Sequence, residues 1–209
     1  CDWSSDVCSS DLNTTDVPAA SNGAYMGNVN DAVTIWTNRA YNSNYACAYY
    51  PWVQIRDSVN GTNVWVPPSV VALGAMAYTD AVQAPWFAPA GFTRGGLSEG
   101  AAGIPVLQVC EQLTSKQRDK LYEVNINPIA QFPAEGIVVF GQKTLQVTRS
   151  ALDRINVRRL MIYLKKEVSR IAARLLFSPN VEVTWNTFLG KVNPLMASVK
   201  TRFGLDDYK

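Results

Sequence analysis

The sequence predicts an α/β (α+β) fold: mixed sheets packed with helices, arranged in two subdomains and incomplete at both ends. Three stretches carry that reading. Ile137, Val138, Val139 and Phe140 form an unbroken apolar run between Gly136 and Gly141, the pattern of a short strand covered on both faces. From Asn156, a suitable N-cap, the period becomes helical. Val157, Leu160, Met161, Leu164, Val168, Ile171 and Leu175 recur at i, i+3, i+4 and i+7, a stripe wide enough to lie on a sheet. Ser178-Pro179 ends it, so at 1.5 Å per residue the helix runs roughly 30 Å. The third stretch is Ser58-Val59-Asn60-Gly61, flanked by strand-like residues 53–57 and 62–66, with Asn60-Gly61 as its turn dipeptide. That dipeptide favours positive φ at both turn positions and predicts a β-hairpin.

The other elements follow in chain order. Residues 13–29 are small and polar and read as loop. Asn30-Asp31 opens a short helix to Ala40, with Val33, Ile35 and Trp36 as its apolar members. Tyr45-Ala46-Cys47-Ala48-Tyr49-Tyr50 reads as a strand stopped by Pro51. Pro68 suits the first turn of a helix over residues 69–83. That helix is apolar nearly all round, which predicts that it is buried, with Gly74 allowing close approach to the sheet. RGGLSEGAAG at 94–103 holds four glycines in ten residues, which places a linker at 96–104 between subdomains 13–95 and 105–209. Residues 105–109 resume as a strand, and Thr114 with Gln117 makes a capping box for a helix to Glu123. Residues 181–203 form a last helical pattern that Pro194 kinks or splits, with Gly204 as the C′ residue.

Composition excludes several function classes. The chain has 209 residues, of which 47% are hydrophobic, as in a folded globular protein. It contains no run of 18 apolar residues, so no membrane-inserted helix is expected. The cysteines Cys1, Cys8, Cys47 and Cys110 form no CxxC pair, and histidine is absent. A structural zinc site is therefore not expected. A Ser-His-Asp triad is excluded within this chain, because it needs an imidazole. Cys47 and Cys110 read as reduced, buried thiols. The glycines near Arg94 do not sit between a strand and a helix as a phosphate loop requires. No cofactor is expected, and no enzymatic activity.

The first twelve residues stand apart. Residues 2–12, DWSSDVCSSDL, read as the conceptual translation of a common sequencing adapter, and residues 1–12 are expected to lie outside the fold. They hold Asp2, Asp6 and Asp11 and no basic residue. Without them the 17 acidic residues become 14 against 19 basic ones, and the net charge rises from +2 to +5. The remaining surface is mildly basic.

Two sets of motifs carry a family resemblance. Asn125-Ile126-Asn127-Pro128-Ile129, Phe132-Pro133, the run from Gly136 to Gly141, Lys143-Thr144-Leu145 and Ile155-Asn156-Val157-Arg158-Arg159-Leu160 occur in that order. Upstream stand Tyr49-Tyr50-Pro51-Trp52, Trp65-Val66-Pro67-Pro68-Ser69, Thr79-Asp80, Pro85-Trp86-Phe87-Ala88-Pro89-Ala90-Gly91-Phe92 and Arg94-Gly95. Together, over roughly residues 25–209, the pattern resembles the tail sheath proteins of contractile-tailed bacteriophages. The resemblance implies that residues 13–95 end a subtilisin-like domain and that 105–209 form most of a C-terminal domain. It also implies further strands and a terminal arm after Lys209. A sheet lacking them would leave an open edge near residues 137–140 or 128–132. The function implied is structural: a protomer that stacks in rings around the tail tube and contracts to drive the tube through the host envelope. Its partners would be other sheath subunits, the tube protein, the baseplate and the tail terminator, in a virion tail assembled in host cytoplasm. A sheath of a tailocin or another phage-derived injection system is the alternative within that class. A non-catalytic α/β binding module is the alternative outside it.

Two residue groups are candidates for contact with partners. Arg158, Arg159, Lys165, Lys166, Arg170 and Arg174, with Glu167 as the single acid, make the long helix basic. The face is either solvated and paired within the domain, or it meets neighbouring subunits through Arg158, Arg159, Arg170 and Arg174. No nucleic-acid motif accompanies it, so phosphate contacts are not expected. Tyr49, Tyr50, Trp52 and Trp65 could form a binding surface, but strand alternation sends about half of them into the core.

Overall fold

The computed structural model describes residues 8–10, 28–57, 59–98 and 106–208. Its strands are β1 (Cys8–Ser10), β2 (Ala46–Tyr50), β3 (Val53–Arg56), β4 (Asn63–Val66), β5 (Val106–Val109), β6 (Ile126–Phe132) and β7 (Gly136–Val139). Its helices are α1 (Val29–Arg39), α2 (Pro68–Val82), α3 (Ser115–Glu123), α4 (Ile155–Ala173) and α5 (Glu182–Thr201). The chain divides between Arg158 and Arg159 into two compact units.

In the first unit one sheet has the order β1-β2-β6-β7. β1, β2 and β6 run parallel, and β7 returns antiparallel to β6. A second, antiparallel sheet has the order β4-β3-β5. β2 shows why this arrangement holds. Cys47 and Tyr49 point into one apolar cluster with Val53, Val71, Met76, Ile129 and Val139. Ala48 and Tyr50 point into another with Val29, Trp36, Leu113, Leu121 and Ile126. A strand with apolar residues at every position must be covered on both sides. Here α2 and the second sheet contribute to one cover, and α1 and α3 to the other. Both Tyr49 and Tyr50 are therefore core residues, while Trp52 and Trp65 are half-buried.

Local chemistry sets the helix starts. The Asn28 side chain accepts from the amides of Asn30 and Asp31 at the head of α1. Thr114 and Gln117 form the anticipated capping box on α3. The β3–β4 hairpin is present with its expected connection, but Asn60 does not take the positive φ expected of it. The Asp57 amide donates to Thr62 O at 2.8 Å, and among the described loop residues Gly61 alone has a positive φ, +68°. The Asp57 carboxylate accepts from the Val59 amide at 2.9 Å and from the Asn60 side chain at 2.7 Å. This local capping by Asp57 sets the loop conformation.

Several expectations change. The glycine-rich stretch does not separate two cores. Residues 95–97 run along β7, with Leu97 N–H donating to Ile137 O and Val139 N–H to Gly95 O, each at 2.8 Å. A Cβ on Gly95 would lie 2.8 Å from Val139 O and 2.9 Å from Ala90 Cα, so glycine is there for close approach. β2 and β6, from opposite sides of this stretch, share a sheet, and the division into units falls in α4 instead. Neither predicted open edge exists: β6 lies between β2 and β7, and β7 is bonded on its other side by residues 95–97. Residues 8–10 do not stand outside the fold, since Cys8, Ser9 and Ser10 pair with Ala46, Cys47 and Ala48. The outer edge of an all-buried strand pairs with whatever backbone reaches it. The rest of residues 1–12 lies outside the described residues. α2 is only half buried. Val71, Ala72, Ala75, Met76 and Thr79 enter the core, whereas Val70, Leu73 and Val82 are exposed, because the helix meets packed structure on one side only.

In the second unit α5 stays continuous through Pro194. Its end is a Schellman-type turn, with Gly204 N–H on Val199 O at 2.9 Å and Phe203 N–H on Lys200 O at 3.0 Å. The left-handed residue is Phe203, φ +61°, not Gly204. Asp207 pairs with Lys200 at 3.0 Å, and Tyr208 donates to Asn193 O at 3.3 Å.

Two measurements check this account. Leu121→Ala removes a side chain with no exposed surface and should cost about 2–5 kcal/mol in a denaturant melt. Asp57→Ala should lower the melting temperature at neutral pH. The Val59 amide, then the Asn60 side chain, hold the Asp57 carboxyl below its usual range. Its stabilisation is thus present above the unfolded value of about 4 and is lost as pH falls through the lower folded value. The gap between variant and wild type should close in acid.

Candidate functional site

The first unit is tied together at Asn127. β6 places this residue opposite Tyr49 of β2 with no exposed surface. Its Nδ2 donates to Ala48 O at 3.0 Å and to Lys143 O at 2.8 Å, and its Oδ1 accepts from the Lys143 amide at 2.6 Å. One buried amide thus satisfies backbone groups from β2 and from the segment after β7. The motif glycine beside it is required sterically. A Cβ on Gly141 would sit 2.8 Å from Asn127 Oδ1 and 3.0 Å from both Asn127 Cα and Pro128 Cδ.

Lys143 extends the tie. Its Nζ donates to Tyr122 O at 2.7 Å and lies 3.8 Å from the centroid of the Tyr122 ring. Arg154 donates to Tyr122 Oη at 2.5 Å. Burial, and then the nearby Arg154 charge, push the Lys143 ammonium below its usual pKa. Beyond it the Thr144 amide donates to Asp153 O, the Leu145 amide to Ala46 O and the Ile155 amide to Gln142 O, each at 2.9 Å. Residues 141–145 are thereby held between β2 and the start of α4. The motifs Asn-Pro-Ile, Gly-Gln-Lys-Thr-Leu and Arg-Ile-Asn are parts of one bonded structure.

The candidate arginines do not behave as one group. Arg158 is 9% exposed, with its guanidinium 3.3 Å from the centroid of the Tyr45 ring. It serves inside the first unit as a stacked cation. Arg159, the first residue of the second unit, is half-buried. Arg170 pairs with Glu167 one turn earlier and stays largely exposed, and Arg174 is exposed. Val139 and Leu164, read from the sequence as core positions, are 1% and 8% exposed.

Large apolar side chains remain uncovered in both units. In the second unit Leu176, Val183, Trp185, Leu189 and Phe203 are exposed, and Phe177 is 98% exposed. In the first unit Val70, Leu73 and Val82 of α2 are exposed, and a separate cleft of about 490 Å³ beside α3 is lined by Pro128, Phe140, Arg118 and Arg154 among others. Phe92, Phe132 and Phe140 cluster there with centroids 5.1–5.9 Å apart. No helix among the described residues is long and apolar enough to cross a membrane. Extended apolar faces edged with arginine mark surfaces that bury against other protein.

The chain has relatives among phage tail sheath proteins. Over 153 residues, 73% of the chain, it is 39% identical to the tail sheath protein of Vibrio phage KVP40 and 33% identical to that of Enterobacteria phage T4. Over 158 residues it is 29% identical to the tail sheath protein of Salmonella phage ViI. The chain is a homologue of one segment of phage tail sheath proteins, spanning 22% of each of the first two. Its fold matches the sheath complex of an extracellular contractile injection system, PVC, in the contracted state. That match has a TM-score of 0.72 at 25% identity and covers 93% of this chain and 49% of the other. The contracted helical sheath of the anti-feeding prophage matches with a TM-score of 0.64 at 25% identity, over 77% of this chain and 42% of the other. No protein-family model matches the chain.

Asn127→Ala should destabilise the first unit by about 1–3 kcal/mol for each backbone group left buried without a partner. Gly141→Ala should also destabilise it, because Asn127 Cα and Pro128 cannot move aside. Chemical denaturation of both variants checks this. Wild-type stability in either would show that the tie carries no weight.

Proposed function

We propose that this chain is part of the protomer of a contractile tail sheath, in which it helps form the sleeve around a tail tube. The observation that carries this reading is the 39% identity with a phage tail sheath protein over 73% of the chain. The exposed apolar surfaces of both units support it, since they are what a subunit buries in a stacked array. The protomer works without catalysis in this reading. Its partners are further sheath subunits, a tube protein, a baseplate and a tail terminator, and its place is the virion tail, assembled in the host cytoplasm. Contraction needs two packings of a rigid subunit that differ in free energy at its contacts. The tie around Asn127 suits such a subunit, because it makes the first unit move as a body. Arg159, Arg170 and Arg174 lie at or near the second unit's surface and take the intersubunit role. Arg158 is left out of it, since its guanidinium is stacked on Tyr45.

A sheath of a phage-derived injection system is the second reading, favoured by the fold match to the PVC and anti-feeding prophage sheaths. The higher identity to the phage proteins favours the first.

Electron microscopy of the full-length protein should show tubular sleeves. Replacing Arg170 and Arg174 together with Glu should raise the concentration needed for sleeves by about tenfold, equivalent to about 1.4 kcal/mol, with an unchanged melting temperature. A full-length protein that stays monomeric under all conditions would overturn the sheath reading.

A further inference from the structure

We propose that the loop between α4 and α5 of one copy of the chain seats in the cleft beside α3 of the next, with Phe177 on the apolar floor, Glu182 against Arg118 and Arg154, and Arg174 against Asp119. The inference rests on the sheath reading for the presence of many copies, and goes beyond it by naming the two surfaces that meet.

The loop is bare and already shaped. Phe177 is 98% exposed, and its chain neighbours Leu176, Val181 and Val183 are exposed as well. Phe177 also has a φ of +67°, in a region that aromatic residues rarely enter. Bonds within the second unit hold the loop in this form. The Ser178 amide donates to Leu175 O at 3.0 Å, Thr184 Oγ1 to Pro179 O at 2.9 Å and Trp185 Nε1 to Asn180 Oδ1 at 2.6 Å. A partner therefore meets the apolar residues without first having to order them. Charge marks the two ends of the loop. Arg174 precedes it, Glu182 follows, and Glu182 is the only charged residue between Arg174 and Lys191. Both are exposed, and neither forms an ion pair among the described residues.

The cleft offers the matching groups. Ala88, Ala90, Pro128 and Phe140 give it an apolar floor, and its charged lining residues are Arg118, Arg154 and Asp119. Its volume of about 490 Å³ is in the range of pockets that enclose a ligand. Both guanidiniums are held in place before any partner arrives. Arg118 lies 5.2 Å and 5.7 Å from the centroids of Phe132 and Phe140 and donates to Leu113 O at 3.0 Å. Arg154 is bonded to Tyr122 Oη at 2.5 Å and lies 3.3 Å from Asp153 Oδ1, yet its side chain stays 41% exposed. A guanidinium has five N–H donors, so these bonds leave each group able to take a carboxylate. Asp119 is exposed at the same site and suits a cation from the partner. The two surfaces are thus complementary in both signs of charge as well as in apolar character, which fixes the direction in which the loop enters.

Because loop and cleft belong to different units, the contact is heterologous. Repeated from copy to copy, it produces rings or an open helical array rather than a closed dimer.

Sedimentation of the 209-residue chain over a concentration series tests the pairing. The wild-type chain should self-associate. Phe177→Asn removes the ring and supplies a residue that accepts the left-handed conformation. It should leave the melting temperature no lower than wild type while raising the midpoint concentration for association about tenfold or more. The charge reversals Glu182→Arg and Arg118→Glu should each raise the midpoint to a similar degree, and the double reversal should recover most of the loss. A variant that merely misfolds would not be rescued in this way. A wild-type chain that stays monomeric, a Phe177→Asn chain that associates like wild type, or a double reversal with no recovery would each overturn the contact. Sleeves formed by a full-length protein carrying Phe177→Asn as readily as by wild type would remove this contact and leave the sheath reading standing.

Discussion

The Asn127 side chain is a buried amide in a strand whose other buried residues are apolar. Burying an amide without partners costs several kcal/mol, so its three hydrogen bonds are a condition of the fold. They join β2, β6 and the segment at Lys143, and the bonds that follow reach Ala46, Asp153 and Ile155. Elements that lie a hundred residues apart in the chain are thereby fastened at one point. Gly141 is there because Asn127 is, and the Lys143–Tyr122–Arg154 group extends the same tie to α3.

The two apolar clusters depend on that point. β2 and β6 have side chains buried on both faces, so a shift between them would misplace both clusters together. The hydrogen bond from the Asn127 side-chain amide to Ala48 O reinforces that alignment of the two strands.

The basic helix illustrates how one sequence feature divides in space. Arg158 and Arg159 are adjacent in the sequence and belong to the same family motif. Successive helical residues point about 100° apart, and only the first reaches the Tyr45 ring. Further along, Arg170 is occupied in part by Glu167 within its own helix. Charge counted along the sequence therefore overstates what a partner meets.

Periodicity and capping chemistry were enough to place most elements. The apolar run of β7, the stripe of α4, the capping box of α3 and the β3–β4 hairpin are local, and each is decided by neighbours within a few residues. The resemblance carried by ordered motifs likewise pointed to the sheath relatives. Three things were not legible. The sequence cannot show that residues 95–97 form a strand partner for β7, because a glycine needed for close approach looks the same as a glycine in a linker. It does not show that α2 has a bare side, because an apolar helix reads as buried whether its cover lies in the same chain or elsewhere. Nor does it reveal the role of Asn127, whose three partners come from residues 16 to 79 positions away. Local pattern determined what each segment is. Hydrogen bonds and packing between distant segments decided which of them belong to one body, because those contacts exist only once the chain has closed on itself.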